Sequence, residues 1–264
     1  MIEDVPRHQA TEALDVDEAD RQLPETQDWV DSILARLAPY LPAAEELDVL
    51  DVGAAQGRTV IAFQRRGHRA VGVEPWPEAI AAARELAGRH GTAVEIREGA
   101  AERLPFDDEQ FDLVVAMSVL EHVEDLPRAL REVFRVLRPG GIFWFNSASS
   151  LSPRQDEIAR FPLFGWYPLP LKRRIMWWAA AHRPALVGHT KTPAVNWFTP
   201  RSARRDLRKA GFEHVWDRWD LWRPERASGA ARAMATIAKS LAPARVVGDV
   251  LVPGCSFAAR KPQR

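Results

Sequence analysis

A segment close to residue 50 combines a strand, a tight turn and the start of a helix. Residues 49–52 form a predicted strand that contains Asp51, and an apolar helical pattern begins at Arg58. Gly53 and Gly57 lie in the turn, where glycine allows a positive φ and lets a ligand approach the backbone. This order predicts a nucleotide-binding turn, although ordinary strand-to-helix connections also use glycine.

Predicted strands and helices alternate through the middle of the chain. The strands are predicted at residues 47–52, 70–73, 93–96, 111–116 and 142–145. Helices are predicted at residues 57–66, 77–89 and 126–137, and the sequence Arg-Pro-Gly-Gly at 138–141 is expected to end the last one. Five strands with intervening helices predict a doubly wound α/β fold whose largely parallel sheet binds ligands at the carboxyl ends of its strands.

Charge and cysteine content narrow the functional classes. The 36 basic and 36 acidic residues balance, so no overall charge attracts the chain to nucleic acid. Cys255 is the single cysteine, which excludes an internal disulfide, and no His/Cys cluster has metal-ligand spacing. No apolar segment reaches the roughly 18 residues of a transmembrane helix, and the N-terminus lacks a signal-peptide pattern. These features predict a cytoplasmic protein without a transmembrane span or a metal.

The N-terminal part divides into two predicted segments. Residues 1–23 are acidic and lack apolar periodicity, which predicts a mobile arm. A helix is expected to open at Pro24 and Thr26, with Trp29, Ile33 and Leu37 on one face. The spacing favours a helix that packs on the sheet edge, and the alternative is a helix that also covers the ligand.

Glu74 lies at the end of the second predicted strand, 23 residues beyond Asp51. An acid at this place in a dinucleotide-type fold accepts hydrogen bonds from ribose hydroxyls. The pair of features predicts an adenosine site, but it fits a nicotinamide cofactor and S-adenosylmethionine equally well.

Residues 48–146 resemble the class I S-adenosylmethionine-dependent methyltransferases, particularly the branch that includes ubiquinone- and menaquinone-type enzymes. The matching pieces, in chain order, are residues 49–57 (VLDVGAAQG), 72–74 (GVE), 99–106 (GAAERLPF), 111–115 (FDLVV), 120–123 (LEHV) and 135–141 (RVLRPGG). The resemblance implies a Rossmann-like methyltransferase fold with a seven-stranded, mostly parallel sheet, S-adenosylmethionine as the cofactor, and methyl transfer as the reaction. It argues against a nicotinamide-dependent dehydrogenase.

The resemblance also implies a set of cofactor-binding positions. The turn that begins at Asp51 would meet the methionine part, Glu74 both ribose hydroxyls, and Trp76 the adenine face. The complete implied set is Asp51, Gly53, Ala55, Gly57, Glu74, Trp76, Ala101, Glu102, Met117 and Ser118. Ala55 replaces a frequent glycine, which predicts an ordinary φ there.

Glu121 and His122 would lie between cofactor and acceptor and are the candidate catalytic residues. A base is needed only for an unactivated acceptor; for a hydroxyl, His122 has a suitable near-neutral reference pKa. The alternative is that His122 only hydrogen-bonds a loop. Some quinone-type relatives bind a metal through an acid three residues before this pair, and Ser118 at that position predicts none here.

The chain after residue 150 is predicted to consist of insertions and the last core elements. Residues 151–198 form a cap insertion, 199–222 a core helix and strand, 223–253 a second insertion helix, and 254–264 the last strand and tail. The second insertion helix is marked by Met234, Ile237, Ala238 and Leu241.

The cap insertion is rich in aromatic and basic residues. Leu171, Ile175 and Trp178 share a predicted helical face. The favoured interpretation is a helical cap over the active site; a membrane-surface helix and a partner or dimer interface are the alternatives. The residues predicted to contact the substrate are Phe161, Trp166, Trp177, Trp178, His189 and Trp197.

These observations predict an S-adenosylmethionine-dependent methyltransferase that acts on a small, apolar or aromatic acceptor, most simply on oxygen. The seven tryptophans from Trp166 to Trp222 suit a planar or lipidic ligand. A sugar or glycolipid acceptor is the alternative within the class, and a non-catalytic S-adenosylmethionine-binding protein is the alternative outside it. We expect a monomer or homodimer, with peripheral membrane contact left open.

Overall fold

A computed structural model describes residues 15–155, 157–158, 160–187, 192–222, 229, 236–237, 241–252 and 254–263. The described strands are β1 (Asp48–Val52), β2 (Arg69–Glu74), β3 (Glu95–Glu98), β4 (Phe111–Met117), β5 (Leu137–Ser147), β6 (His214–Asp217) and β7 (Cys255–Arg260). The described helices are α1 (Val16–Leu37), α2 (Arg58–Gln64), α3 (Pro77–Arg89), α4 (Leu126–Val136), α5 (Leu169–His182), α6 (Pro200–Lys209) and α7 (Ala242–Leu251).

The strands form one seven-stranded sheet in the order β3-β2-β1-β4-β5-β7-β6. The first five are parallel, whereas β7 pairs antiparallel with both β5 and β6. Ser147 at the end of β5 is therefore opposite Cys255 at the start of β7. The carboxyl ends of the parallel strands and the start of β7 meet at one edge. This arrangement confirms the predicted doubly wound, seven-stranded and mostly parallel α/β sheet.

Both faces of the sheet are covered. Leu50 and Val114 pack in one core cluster, while their chain neighbours Val49 and Val115 pack in a second cluster on the opposite face. Successive strand residues point to opposite faces, so central strands that are apolar on both sides need helices above and below. This explains why β1 and β4 appear in the sequence as continuous apolar runs.

Helix α1 begins earlier than the sequence predicted. The Asp15 carboxylate caps it by accepting hydrogen bonds from the Asp17 and Glu18 N–H groups, and Pro24 lies inside the helix. Apolar residues recur every three or four positions from the first turn, and Val16 and Leu23 pack with residues of α2 and α3. The predicted mobile arm is therefore wrong for residues 16–23; residues 1–14 lie outside the described chain.

Two later boundaries also differ from prediction. Strand β5 starts at Leu137, directly after α4, so residues 138–141 belong to the strand and do not form a separate turn. Gly140 takes a φ of 80°, and the pairing of β5 with β4 shifts register in this region.

In the second insertion, Met234 and Ala238 lie outside the described residues, while Ile237 and Leu241 are exposed. The helix described there is α7, which starts at Ala242.

The insertion after β5 has a small core of its own. Phe164, Met176, Ala179 and Trp197 are buried in a cluster separate from the two sheet faces. Helix α5 contributes Met176, Ala179 and Ala180 to this cluster. The insertion therefore packs around a small core that is separate from the core of the sheet.

Candidate active site

The turn between β1 and α2 takes left-handed backbone at three positions. The φ angles are 75° at Gly53, 45° at Ala55 and 72° at Gly57. The prediction of an ordinary φ for Ala55 is therefore wrong. Its N–H donates to Oε2 of Glu74 at 2.9 Å, and this charged acceptor offsets a backbone cost of about 1–2 kcal/mol.

Space as well as φ requires glycine in this turn. A Cβ at Gly53 would lie 2.4 Å from Cγ2 of Val119, and one at Gly57 would lie 3.1 Å from Cβ of Ala83. The Gly53 N–H donates to the Val73 carbonyl at 2.8 Å, which ties the turn to β2. The backbone of the turn is thus held against its neighbours before any ligand binds.

Glu74 ends β2 directly beside this turn. Its side chain is 5% exposed, and its second carboxylate oxygen accepts the Trp76 N–H at 3.2 Å. Trp76 is half-buried and precedes α3. A carboxylate fixed at this strand end, with an aromatic ring two residues later, has the chemistry expected of an adenosine site.

Asp51 lies in β1 close to Glu74 and is also buried. Burial raises the pKa of Asp51 to about 8, and the Glu74 carboxylate adds to this rise. A hydrogen bond from Thr59 and the charge of Arg58 act in the opposite direction. Because the two carboxyl groups are close together, the negative charge of one disfavours ionisation of the other at neutral pH.

The positions after β3 have structural partners. Ala101 is buried in a core cluster of the sheet. Oε1 of Glu102 accepts hydrogen bonds from the backbone N–H groups of Glu124 and Asp125, at 3.1 and 3.4 Å. Glu102 therefore links the end of β3 to the start of α4.

The end of β4 is joined to both of its neighbours. Ser118 has a φ of 52°, and its N–H donates to Oδ1 of Asn146 at 2.9 Å. The Thr59 hydroxyl, on α2, approaches Sδ of Met117 at 3.8 Å. Met117 and Ser118 thus lie between the cofactor turn and the end of β5.

A cavity of about 510 Å³ opens at this edge of the sheet, beyond the turn. It is bounded by the ends of β4 and β5, the start of β7, the loops after β5 and β6, and one face of α1. Its charged and aromatic lining consists of Trp29, Arg36, Glu121, Trp144, Arg154, Glu157, Arg218, Trp219 and Trp222. Ser118 also lines it, so the cavity adjoins the predicted cofactor site.

Glu121 is the buried acid of this cavity. Its side chain is 3% exposed, and Oε2 accepts a hydrogen bond from Oγ of Ser147 at 2.7 Å. Burial raises the pKa of Glu121 to about 7, the Ser147 hydrogen bond lowers it, and the charge of Glu157 raises it. A carboxylate with this pKa can take a proton from the molecule that is to be methylated at neutral pH.

His122 does not line this cavity. It is half-buried, and burial lowers the pKa of its imidazole, while the backbone of Pro193 and Thr192 opposes that shift. The structure therefore brings Glu121 of the predicted catalytic pair to the cavity and directs His122 to residues 192–193, near the end of the cap insertion.

The predicted cap residues do not surround the cavity either. Phe161 and Trp197 contribute to the separate core of the insertion, and Trp197 lies under Nζ of Lys172 at 4.8 Å. Trp166, Trp177 and Trp178 are 56%, 44% and 47% exposed. His189 lies outside the described residues.

The cavity tryptophans come from other parts of the chain. Trp29 was placed by sequence on the apolar face of the first helix, and α1 both packs on the fold and lines the cavity. Trp144 stacks edge-on against Trp29 with ring centroids 5.1 Å apart. Sequence reasoning missed Trp144, Trp219 and Trp222 as site residues, because the first looks like strand core and the other two lie in a loop.

The described residues contain neither a metal-binding cluster nor a membrane-spanning helix. In the part of the chain that the structure describes, no three His, Cys, Asp or Glu side chains group so as to hold a metal ion. The helices described here include none with the length and apolar character needed to cross a bilayer.

The chain is similar to known methyltransferases. A family model described as a methyltransferase domain matches residues 50–145. The ubiquinone/menaquinone biosynthesis C-methyltransferase UbiE of Bartonella tribocorum is 30% identical over 195 residues, which cover 71% of each chain. A ubiquinone biosynthesis O-methyltransferase of a Methylobacterium species (strain 4-46) is 37% identical over 125 residues, 46% of this chain and 50% of its own length.

A solved structure has the same fold. The crystal structure of an S-adenosylmethionine-dependent methyltransferase from Thermotoga maritima aligns with a TM-score of 0.53 at 21% identity, over 96% of this chain and 100% of that one. The chain belongs to the class I S-adenosylmethionine-dependent methyltransferases. Within that class it falls in the branch of the ubiquinone- and menaquinone-type enzymes, and its cofactor is S-adenosylmethionine.

Proposed function

We propose that this enzyme methylates a hydroxyl group of a small, apolar or aromatic acceptor bound in the cavity beside the cofactor turn. The observation that carries the proposal is the buried carboxylate of Glu121, which lines the cavity together with Ser118. By family resemblance, Ser118 faces the sulfonium of the cofactor. The methyl donor and the proton acceptor would then meet at one end of the cavity.

S-Adenosylmethionine supplies a methyl group bound to a positively charged sulfur, and transfer is an in-line displacement. The residues of the chain position the acceptor and exclude water. Glu121 takes the proton from the acceptor hydroxyl as the oxygen attacks. The Ser147 hydroxyl donates to Oε2 of this carboxylate at 2.7 Å and fixes its orientation.

The proposed cofactor contacts are those implied by the resemblance. Glu74 would accept hydrogen bonds from the ribose hydroxyls, and the turn from Gly53 to Gly57 would receive the methionine part. Trp76 would lie against the adenine. The fixed backbone of the turn and the buried Glu74 carboxylate support this assignment.

The aromatic lining supports a planar or apolar acceptor. Trp29, Trp144, Trp219 and Trp222 offer ring surfaces that stack on such molecules. A second candidate is a sugar or glycolipid that carries an anionic group. Three arginines in the same cavity, Arg36, Arg154 and Arg218, favour it because guanidinium groups bind phosphate and carboxylate.

The test is a methyl-transfer assay with isotopically labelled S-adenosylmethionine and a panel of phenols, catechols, saccharides and glycolipids. We expect O-methylated phenolic or other apolar products, identified by mass spectrometry, and loss of the signal in Glu121→Gln. Methylation of carbon only would contradict the proposed reaction. Methylation of saccharides alone would favour the second candidate.

A non-catalytic role makes a different prediction in the same experiment. A binding protein would retain S-adenosylmethionine affinity by calorimetry but methylate nothing in the panel or in a cell extract. The cytoplasmic location, the absence of a metal, and the monomeric or homodimeric state stay predictions from the sequence.

A further inference from the structure

Helix α5 presents an apolar and basic face away from the protein. Its buried residues, Lys172, Met176, Ala179 and Ala180, occupy one side of the helix. At 3.6 residues per turn, the opposite side carries Leu171, Arg174, Trp177 and Trp178. The sequence had predicted a face through Leu171, Ile175 and Trp178; the packed face is rotated from it.

Large apolar side chains are exposed both on α5 and in the residues just before it. Leu171, Trp177 and Trp178 are 44%, 44% and 47% exposed. In the turn before the helix, Leu163 is 52% and Trp166 is 56% exposed. Soluble proteins seldom leave several large apolar side chains of one segment in water without a binding partner.

The sequence interval that contains these side chains carries charge of one sign. No Asp or Glu occurs in the sequence between Glu157 and Asp206. The cations in that interval are Arg160, Lys172, Arg173, Arg174, Arg183, Lys191, Arg201, Arg204 and Arg205. Arg174 and Arg183 are exposed, and neither forms an ion pair with a carboxylate of the described residues.

We propose that this surface, formed by the exposed side chains of residues 163–178 with Arg183, docks on the headgroup region of an anionic lipid bilayer. Tryptophan prefers the interface between water and hydrocarbon, and leucine enters the outer acyl region. Arginine side chains reach back to anionic headgroups, whose negative potential attracts them. The composition of this face matches that environment in each respect.

A second copy of the chain fits the same surface less well. A two-fold contact brings a patch against itself, so Arg174 and Arg183 of one copy would approach the same cations of the other. No acid within the patch would neutralise them. A bilayer containing anionic lipid neutralises the cations and buries the rings together.

The proposal goes beyond methyl transfer, because docking requires neither the cofactor nor the cavity residues. It can be tested by co-sedimentation of the full chain with vesicles of phosphatidylcholine, alone or mixed with phosphatidylglycerol. We expect at least about tenfold tighter binding to the mixed vesicles, weakened by added salt.

Two variants with matched controls locate the surface. Trp177→Ser with Trp178→Ser, and separately Arg174→Glu, should each weaken binding by about tenfold or more. The controls are Val246→Ser with Val247→Ser on α7, 55% and 57% exposed, and Arg208→Glu on α6, also exposed. Thermal unfolding midpoints check that every variant is folded.

Failure of the wild-type chain to bind the mixed vesicles would overturn the proposal. Equal binding to both vesicle types would overturn the role of charge, and an equal loss in the controls would overturn the assignment to α5. A concentration-dependent dimer that the Arg174→Glu change strengthens would identify a second copy as the occupant.

Discussion

The predicted cofactor side of this enzyme and its proposed acceptor side are built in different ways. On the cofactor side, Gly53 and Gly57 follow β1 and Glu74 ends β2, and hydrogen bonds from backbone N–H groups hold this short stretch together. On the acceptor side, the cavity is assembled from α1, the ends of β4 and β5, two loops and the start of β7. Local sequence thus determines the first site, whereas long-range packing determines the second.

The two sides also hold charge differently. The Glu74 carboxylate accepts hydrogen bonds from two backbone N–H groups, which hold it in one position. Glu121 has one side-chain donor, Ser147, and stands near a second carboxylate, Glu157. The first arrangement suits a fixed binding contact and the second suits a group that exchanges a proton.

The largest expected effect concerns the proton acceptor. Glu121→Gln keeps the shape of the side chain but removes the base, so we expect kcat to fall by about a hundredfold or more. His122→Ala should change kcat by less than about tenfold, since His122 does not line the cavity. Steady-state kinetics with the identified acceptor measure both. A fall in kcat of more than about tenfold in His122→Ala would instead identify His122 as the base.

The next effect tests the cofactor side. Glu74→Gln weakens the proposed ribose contacts, and we expect the Kd of S-adenosylmethionine to rise by about ten- to a hundredfold. Glu98→Gln is the matched control, because Glu98 is paired with Glu74 in the register of β2 and β3 but is exposed. Isothermal titration calorimetry gives both values. Equal affinities of the two variants would contradict the ribose role.

A pH profile connects the acceptor side to its electrostatics. Because burial raises the pKa of Glu121 to about 7, the base is protonated below that pH, and kcat should rise as pH increases through it. Ser147→Ala removes a hydrogen bond that lowers this pKa, so the rising limb should move to higher pH, by up to about one unit. Ser256→Ala, which alters another cavity serine, should leave it in place. If the rising limb of the kcat–pH profile does not move in Ser147→Ala, the profile does not report the ionisation of Glu121.

The smallest expected effect concerns stability on the cofactor side. The folded-state pKa of Asp51, about 8, is above the unfolded value of about 3.8, so the protein favours the protonated acid. The free energy of unfolding without cofactor should therefore contain a contribution that is present below about pH 4 and lost as pH rises to about 8. In Asp51→Asn, the change in the free energy of unfolding between about pH 4 and pH 8 should be smaller than in the wild type by at least about 1 kcal/mol. Urea unfolding at several pH values measures the difference, and identical pH dependence would exclude the effect.

The sequence was sufficient to predict the sheet and the turn between β1 and α2, while the cofactor contacts of that turn stay predictions. Strand, turn and helix follow from apolar periodicity, and the interval from Asp51 to Glu74 follows from the repeat of the strand and helix unit. Ala55 was the exception. A missing glycine suggested ordinary backbone, but the hydrogen bond to Glu74 holds this alanine in the left-handed region.

The acceptor side was less predictable because composition does not reveal which face of a helix packs. The tryptophans of α5 suggested a pocket, yet Trp177 and Trp178 are exposed, and the buried side chains of the helix include Lys172, which lies over the ring of Trp197. Trp219 reaches the cavity by packing on Gly248 of α7, a contact between distant segments that no local pattern records. The start of α1 was missed for a simpler reason, since its acidic residues masked an apolar stripe through Val16 and Leu23.

Helix α1 touches both sides of the enzyme. Gln22 and Thr26 contact the guanidinium of Arg58, the first residue of α2, and Trp29 and Arg36 line the cavity. These contacts extend over about 21 Å of one continuous helix. Should an acceptor shift α1 when it enters, thermodynamic reciprocity requires the cofactor and the acceptor to change each other's affinity by the same factor. One continuous helix would then carry the coupling between the two substrates.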